Sequence, residues 1–351
     1  MKRIMPVKVA ILGVGNAAST LVQGLNFYRP GRRRSGLWHP NVGGLQPKDI
    51  EIVAAFDIDE RKTGRDISEA IFAHPNVARR YVRVARTGIK VRPGLALRDL
   101  PPHLSGQKVR TVKPDEYTKA LRDSSVDVVL NLISSGTDVS TKAYAKATLR
   151  AGCSFVNCTP ALLLKDSALV NGFKKSGLVI AGDDLMSQFG GTVFHKGLLS
   201  LMVKRGIKIS KSYQLDVGGG SETFNTIDEA IKSAKRNVKT TSVAGEVPYQ
   251  FETVAGTTDF VDYMGNERTS YFWVEGGGFL DADIGIDVYL RSSDGANAGN
   301  ILLDVVRAVA AALSSRKYGA VDEICAYGFK SPPRPVGFEE ARHAFDKLFV
   351  N

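Results

Sequence analysis

Val7-Lys-Val-Ala-Ile-Leu-Gly13-Val14-Gly15-Asn16-Ala17-Ala18-Ser-Thr-Leu21-Val22-Gln-Gly-Leu25 is the stretch whose reading decides the fold. A short apolar β-type run, Val9 to Leu12, feeds two glycines, after which Ala17, Ala18, Leu21, Val22 and Leu25 recur at helical spacing. The pattern predicts a strand, a tight glycine turn and a helix. Gly13 allows the turn, Gly15 lets the backbone approach a pyrophosphate, and the first free N–H groups of the helix face the anion. Ala18 stands where the third glycine of G-x-G-x-x-G usually stands, and a small residue suffices there. An ordinary strand-to-helix corner would carry the same glycines. Gly13, Gly15, Asn16, Ala17 and Ala18 are therefore candidate dinucleotide-binding residues whose weight depends on an acid at the end of the second strand.

Working outward, Glu51-Ile-Val-Ala-Ala-Phe-Asp57 is a second apolar run. It ends in an acid where the ribose 2′-hydroxyl of NAD needs an acceptor, which makes Asp57 a cofactor residue. The interval exceeds the roughly twenty residues usual for the motif, so an insertion containing Arg32 to Pro47, with a basic tip at Arg32 to Arg34, is expected to loop out. Asp57 to Lys62 then opens a helix running through Ile67 and Ala70 to Phe72. Residues 75–115 read as a surface insertion with short strands.

Val126 to Ile133 is a buried strand by composition, followed by Ser134-Ser135-Gly136-Thr137. Ligand crevices lie beyond the carboxyl ends of such strands, which puts Ser134, Ser135 and Gly136 beside the cofactor. Helix Val139 to Ala151, strand Ser154 to Asn157, helix Asp166 to Lys175 and strand Leu178 to Gly182 continue the alternation, which ends in Asp183-Asp184. The fold class is α/β with a Rossmann-like, doubly wound domain. From about Lys208 the runs alternate as in a mixed sheet: Tyr213 to Val217, Phe272 to Glu275 and Gly285 to Leu290. Residues 1–200 with 296–351 are assigned to the NAD-binding domain, and 201–295 to a second α+β catalytic and oligomerisation domain. Asn300 to Ser314 is a helix returning to the first domain, and Ser331-Pro332-Pro333 is expected to end the ordered core.

The 351 residues are 43% hydrophobic and 24% charged, ordinary for a globular protein. No apolar run approaches the roughly eighteen residues of a membrane span. Met1-Lys-Arg-Ile-Met-Pro resembles a basic leader, but the apolar run after it is short and enters the glycine turn directly, which reads as a first strand and not a signal peptide. Three cysteines, Cys153, Cys158 and Cys325, form no C-x-x-C pair and suit a reducing, cytoplasmic setting. The five histidines show no metal-ligand spacing. The net charge of +11 is spread along the chain without an aromatic-interleaved basic module, so neither a nucleic-acid nor a membrane partner is expected. A field attracting a phosphorylated small molecule and a merely solubilising surface both fit that charge.

At the level of whole motifs the sequence resembles the myo-inositol-1-phosphate synthase family in its shorter archaeal and bacterial form. The stretches GVGNAASTLVQGL (13–25), HPNVGGLQPKDIEIVAAFDIDERKTGRDISEAIF (39–72), GCSFVNCTP (152–160), AGDDLMSQFGGT (181–192) and FKSPP (329–333) carry the resemblance. It implies a redox-neutral cyclisation of glucose 6-phosphate to inositol 1-phosphate, a step toward inositol phospholipids. C5 is oxidised by bound NAD+, the ketone acidifies the C6 protons, the C6 enolate attacks the C1 aldehyde, and the ketone is reduced again by the NADH formed.

The resemblance places the family's lysine pair at Lys235 and Lys239, four apart on one helix face, where like charges favour loss of one proton. It places further site residues at Lys330, Asp294 and Asp183. Proton transfer and substrate anion contact fall to Lys235 and Lys239, the enolate or carbonyl oxygen to Lys330, and orientation of lysines or hydroxyls to Asp294 and Asp183. Thr159 and Asp184 are expected at the cofactor, and Arg268, Ser187 and Gln188 at the substrate phosphate. A homotetramer is implied. Family branches differ in their use of a divalent metal ion or ammonium, so a metal ion stays open.

Three departures stand out. Met186 replaces a lysine of G-D-D-x-K-S-Q. Arg268 replaces a lysine and cannot act as a base. G-G-N-x-D-F-x-N becomes Gly218-Gly219-Gly220-Ser221-Glu222-Thr223-Phe224-Asn225, losing an asparagine and lengthening an acid. The alternatives are an NAD(P)-dependent dehydrogenase or a cyclase on another sugar or polyol phosphate, or a catalytically reduced NAD-binding paralogue.

Overall fold

The computed structural model describes residues 5–29 and 35–350. The basic tip Arg32 to Arg34 lies outside them. Six parallel strands form the first sheet: β1 (Val7–Leu12), β2 (Ile50–Asp57), β3 (Val91–Pro93), β4 (Val128–Asn131), β5 (Ser154–Asn157) and β6 (Ile180–Ala181). Their order is β3-β2-β1-β4-β5-β6, all neighbours parallel. Chain direction along the sheet reverses between β1 and β4, which makes the crevice above their carboxyl ends the switch point. All of β4 and β5 is buried, as expected of a sheet covered on both faces.

The second sheet holds β7 (Lys208–Gly218), β8 (Glu252–Phe260), β9 (Glu267–Gly277) and β10 (Asp283–Ser293) in the order β10-β9-β7-β8. Only β7 and β8 run parallel. Val274 of β9 and Ile209 of β7 pack on Leu199 and Met202 of helix Gly191–Lys204 and on Val243 of helix Glu229–Ala244. The opposite face turns Tyr271, Trp273 and Tyr289 outward, with Tyr289 73% exposed.

The long helix Asp294–Ser314 ties the two sheets together. At Gly299 and Gly24 its backbone approaches helix Asn16–Phe27 so closely that a Cβ on Gly299 would sit 3.2 Å from Thr20 Oγ1. By length and composition this helix could cross a membrane, but the Asp304–Arg307 pair interrupts its apolar run and 67% of its apolar window is buried inside the fold.

Three expectations are corrected. The helix expected from Asp57 to Phe72 is confined to Ile67–Ala70. Upstream, Asp59 accepts from the Arg61 N–H at 2.9 Å, and Gly64 takes φ +83, so the chain makes turns instead. The insertion does not loop out after Leu37: Leu37, Val42 and Leu45 are buried. Fully buried Arg307 donates to the carbonyls of His39, Pro40 and Leu45 and pairs with Asp304 at 2.6 Å. Truncating either member of that pair would leave an uncompensated charge costing about 3–5 kcal/mol. Finally, the ordered core continues past Pro333. Helix Phe338–Phe345 returns Phe345 to stack on Tyr327 with ring centroids 3.8 Å apart, and Phe349 is buried behind it.

Candidate active site

The glycine turn has the geometry a pyrophosphate requires. Gly13 takes φ +82, and a Cβ there would meet the Leu132 carbonyl oxygen at 2.7 Å. A Cβ on Gly15 would meet nothing within 4 Å, so the turn is open toward the crevice. Gly15 is the N-cap of helix Asn16–Phe27 and no side chain caps the helix, leaving its first N–H groups available to an anion. Ala18 is fully buried behind the turn, where it serves packing.

Asp57 ends β2 in a small cavity of about 70 Å³ that also includes Gly13, Lys62 and Tyr144. Its Oδ2 accepts from the Val14 N–H at 2.7 Å and lies 3.7 Å from Lys62 Nζ. Gly15, Ser134 and Ser221 line both this cavity and a larger one of about 230 Å³. The two chambers therefore meet at the glycine turn, as a dinucleotide with an adenosine end and a reactive end requires. Gly136, with φ +83, packs against Ile231 instead of lining either chamber.

The larger chamber collects four cations, each facing a carboxylate. Lys235 Nζ lies 2.6 Å from Glu222 Oε1, and Lys239 Nζ 2.6 Å from Asp216 Oδ2. Arg268 Nη2 lies 3.0 Å from Asp294 Oδ2, and Lys330 Nζ 2.7 Å from Asp184 Oδ1. Helix Glu229–Ala244 presents both lysines of the first two pairs because Lys235 and Lys239 share one face. Glu222 also takes the Ser135 N–H at 3.2 Å and the Ser135 hydroxyl, joining the two sheets through one side chain.

Burial by itself raises the Asp216 carboxyl, but Lys239, Arg268 and the Ser270 hydroxyl more than offset this and hold it well below the usual carboxylate range. For Lys239, burial dominates and lowers its proton affinity, with Asp216 opposing and Arg268 reinforcing the change. At Glu222 the surrounding protein raises the carboxyl and Lys235 and Ser135 bring it down further, while 42% of the side chain stays exposed to the chamber.

Ser187, Gly191 and Thr192 bring a helix N-terminus to the same chamber. Helix Gly191–Lys204 starts after Gly190 with no side-chain cap, a second seat for an anion. Thr159 lines the chamber and is fixed by a 2.9 Å bond to Asn157 Oδ1.

Two further expected site residues lie elsewhere. Asp183 is buried behind the chamber, accepting from Asn157 Nδ2 at 2.7 Å and the Leu164 N–H at 3.0 Å. Desolvation pushes its carboxyl up to about 7. Gln188 reaches the Gly36 carbonyl at 3.3 Å, and Met186 is buried beside Trp38 and Tyr327, so position 186 does not open onto the chamber. Asp216, Gly191 and Thr192 join the chamber without having been expected there from the sequence. Asp216 carries a faint signal: an acid inside a strand run, at the same parity as Gln214 and Gly218. Among the described residues no group of three or more His, Cys, Asp or Glu side chains is arranged to hold a metal ion.

These features define a dinucleotide-binding α/β enzyme whose second sheet supplies a lysine-rich chamber for a small anionic substrate. The family model for myo-inositol-1-phosphate synthase matches residues 190–295. Inositol-3-phosphate synthase of Corynebacterium glutamicum is 32% identical over 98% of both chains, and that of Mycolicibacterium smegmatis is 32% identical over 96% of both. The crystal structure of Ari2 superimposes with a TM-score of 0.80 at 29% identity, covering 98% of each chain. A myo-inositol-1-phosphate synthase-related protein from Thermotoga maritima shares the fold at TM-score 0.81 and 22% identity, covering 97% of this chain and 98% of its own. The chain belongs to the myo-inositol-1-phosphate synthase family.

Proposed function

We propose that this protein is an inositol-3-phosphate synthase, converting glucose 6-phosphate to myo-inositol 1-phosphate with NAD retained through the cycle. The observation that carries the reading is the meeting of the glycine-turn crevice with a chamber of four paired cations at Gly15, Ser134 and Ser221. When bound, NAD+ supplies a hydride acceptor at C5 and, after ring closure, the hydride donor. The open Gly15 face, the uncapped helix after it and the Asp57 carboxylate fit such a group. The N-terminus of helix Gly191–Lys204, with Ser187 and Thr192, takes the substrate phosphate. Arg268 is the fixed charge on the opposite strand. Lys330 faces the carbonyl or enolate oxygen, and Lys235 and Lys239 place ammonium groups or a base at C6 and C1.

We assign residues 1–200 with 296–351 to cofactor binding and 201–295 to catalysis and oligomer contacts. The protein acts in the cytoplasm, where its three free thiols stay reduced. It acts as a homo-oligomer, a tetramer by family likeness, through the outward aromatic face of the second sheet. No divalent ion is assigned a place.

A second reading is favoured by Arg268 and Glu222, which change the chamber's charge geometry: a cyclase acting on another sugar phosphate. Incubation with glucose 6-phosphate and catalytic NAD+, followed by chromatography and NADH absorbance, tests both. Inositol phosphate without NADH accumulation supports the first. Turnover of a different sugar phosphate but not of glucose 6-phosphate supports the second.

A further inference from the structure

Lys239 and Lys235 occupy one helix face, but their surroundings differ. Asp216, facing Lys239, is buried on β7 and accepts from the Ser270 hydroxyl at 2.6 Å and Gln214 Nε2 at 2.9 Å as well as from the lysine. Glu222, facing Lys235, exposes 42% of its side chain to the open chamber. One lysine has a rigid, enclosed counter-ion and the other a counter-ion open to ligand and solvent.

The route by which Lys239 reaches Asp216 is built into the sheet. The β7–β8 register shifts between Gln214 and Leu215, where Ala255 pairs with Gln214 and Thr257 with Leu215, so Gly256 is bulged out. Gly256 takes φ +80, and the Lys239 stem lies directly on it: a Cβ there would sit 2.1 Å from Lys239 Cδ and 2.9 Å from its Nζ. A bulge and a left-handed glycine are both needed for that side chain to pass between helix and sheet to the carboxylate.

We infer that Asp216 and the Gly256 bulge form a seat that fixes Lys239 in the chamber and opposes the loss of its proton. Lys239 is then the lysine whose place and charge depend on one enclosed carboxylate, while the Glu222 carboxylate facing Lys235 opens onto the chamber. Asp216 and Gly256 are positioning residues acting through Lys239. The charges facing Lys239 are Asp216 from β7, Arg268 from β9 and Lys235 from its own helix, with Asp294 held against Arg268. From helix Gly191–Lys204, His195 is drawn down to about 4 by burial and so is neutral at pH 7, while Lys196 is engaged with Glu246 at 3.7 Å. Asp216 is thus the carboxylate in direct contact opposing Arg268 and Lys235, and its removal lets Lys239 lose its proton more readily.

The assignment of a catalytic role to Lys239 rests on the proposed function, but the state of the lysine does not, so the test separates the two. The full-length protein with 13C-labelled lysine side chains is titrated by NMR, the Lys239 signal being identified by its loss in Lys239→Arg. The seat predicts that Asp216→Asn moves the Lys239 titration at least one pH unit lower, that Asp216→Glu restores most of it, and that the alkaline limb of the kcat profile moves with it. Gly256→Ala is predicted to lower kcat at least tenfold with NAD+ affinity within twofold. If Gly256→Ala does not fold, the Asp216→Asn titration decides alone. An unmoved Lys239 titration, or lower activity with an unchanged pH profile, overturns the seat. Absence of inositol phosphate from the wild type overturns the proposed function and leaves the titration result standing.

Discussion

Lys235 Nζ sits 2.6 Å from Glu222 Oε1, and the same carboxylate accepts the Ser135 N–H at 3.2 Å. The lysine on the second sheet's helix is thereby tied to the loop after β4 that borders the cofactor crevice. Lys235→Ala removes the lysine end of that link. General acid–base groups contribute about 10²–10⁴-fold, and a fall of that size in kcat is expected, measured as inositol phosphate formed. NAD+ affinity by titration calorimetry should stay near the wild-type value. Undiminished turnover would remove Lys235 from the mechanism.

Arg268 holds Asp294 at 3.0 Å with one nitrogen, while another approaches Asp216 at 4.0 Å. Arg268→Lys keeps the charge but loses the fork that serves two carboxylates. The KM for the sugar phosphate is predicted to rise about tenfold, one lost charged hydrogen bond of about 1.4 kcal/mol. Steady-state kinetics at saturating NAD+ check it.

Asp57 supports the glycine turn through the Val14 N–H at 2.7 Å while ending the strand beside the small chamber. Asp57→Ala is expected to weaken NAD+ binding about 10- to 100-fold, from loss of a charged hydrogen bond worth about 1.5–3 kcal/mol. Equilibrium binding followed by cofactor fluorescence gives the value, and unchanged affinity would count against the assignment.

Asp183 gives a stability signature. Its carboxyl is pushed by burial up to about 7, above the ordinary aspartate value of 3.8, so between those pH values the folded state binds the proton that the unfolded chain releases. Its contribution is therefore full below about pH 4 and is lost as pH rises through about 7, with a slope of up to about 1.4 kcal/mol per pH unit. Asp183→Asn should flatten that decline in denaturant titrations at pH 5, 6, 7 and 8, while lowering the baseline because one of two donors, Asn157 or Leu164, loses its acceptor. The same decline in both proteins would show that Asp183 is ionised throughout.

The first sheet is legible in the sequence because its signals are local: an apolar run into Gly13 and Gly15, and β-branched runs ending in Asp57 and Ser134. Asp216 is not. In β7 the apolar residues Tyr213 and Leu215 face outward, with Leu215 41% exposed, while Gln214 and Asp216 face in, the reverse of the usual alternation. Only the lysine helix opposite explains it, and that contact is remote in sequence. The tail after Pro333 misleads for a similar reason. Two prolines look like a terminus, whereas Phe345 and Phe349 matter only once Tyr327 offers a ring to cover. Met186 looks like a missing site cation because the motif gives its position and not its direction; its side chain is 4% exposed beside Trp38.

Held by the Gly13–Gly15 turn and Asp57 through a whole cycle, NAD would supply both the hydride acceptor at C5 and the later donor. Glucose 6-phosphate deuterated at C5 should give inositol phosphate that keeps its deuterium at the corresponding carbon, with catalytic NAD+ and no build-up of NADH, as read by mass spectrometry and absorbance. Deuterium appearing in free NADH, or a product lacking it, would contradict the account.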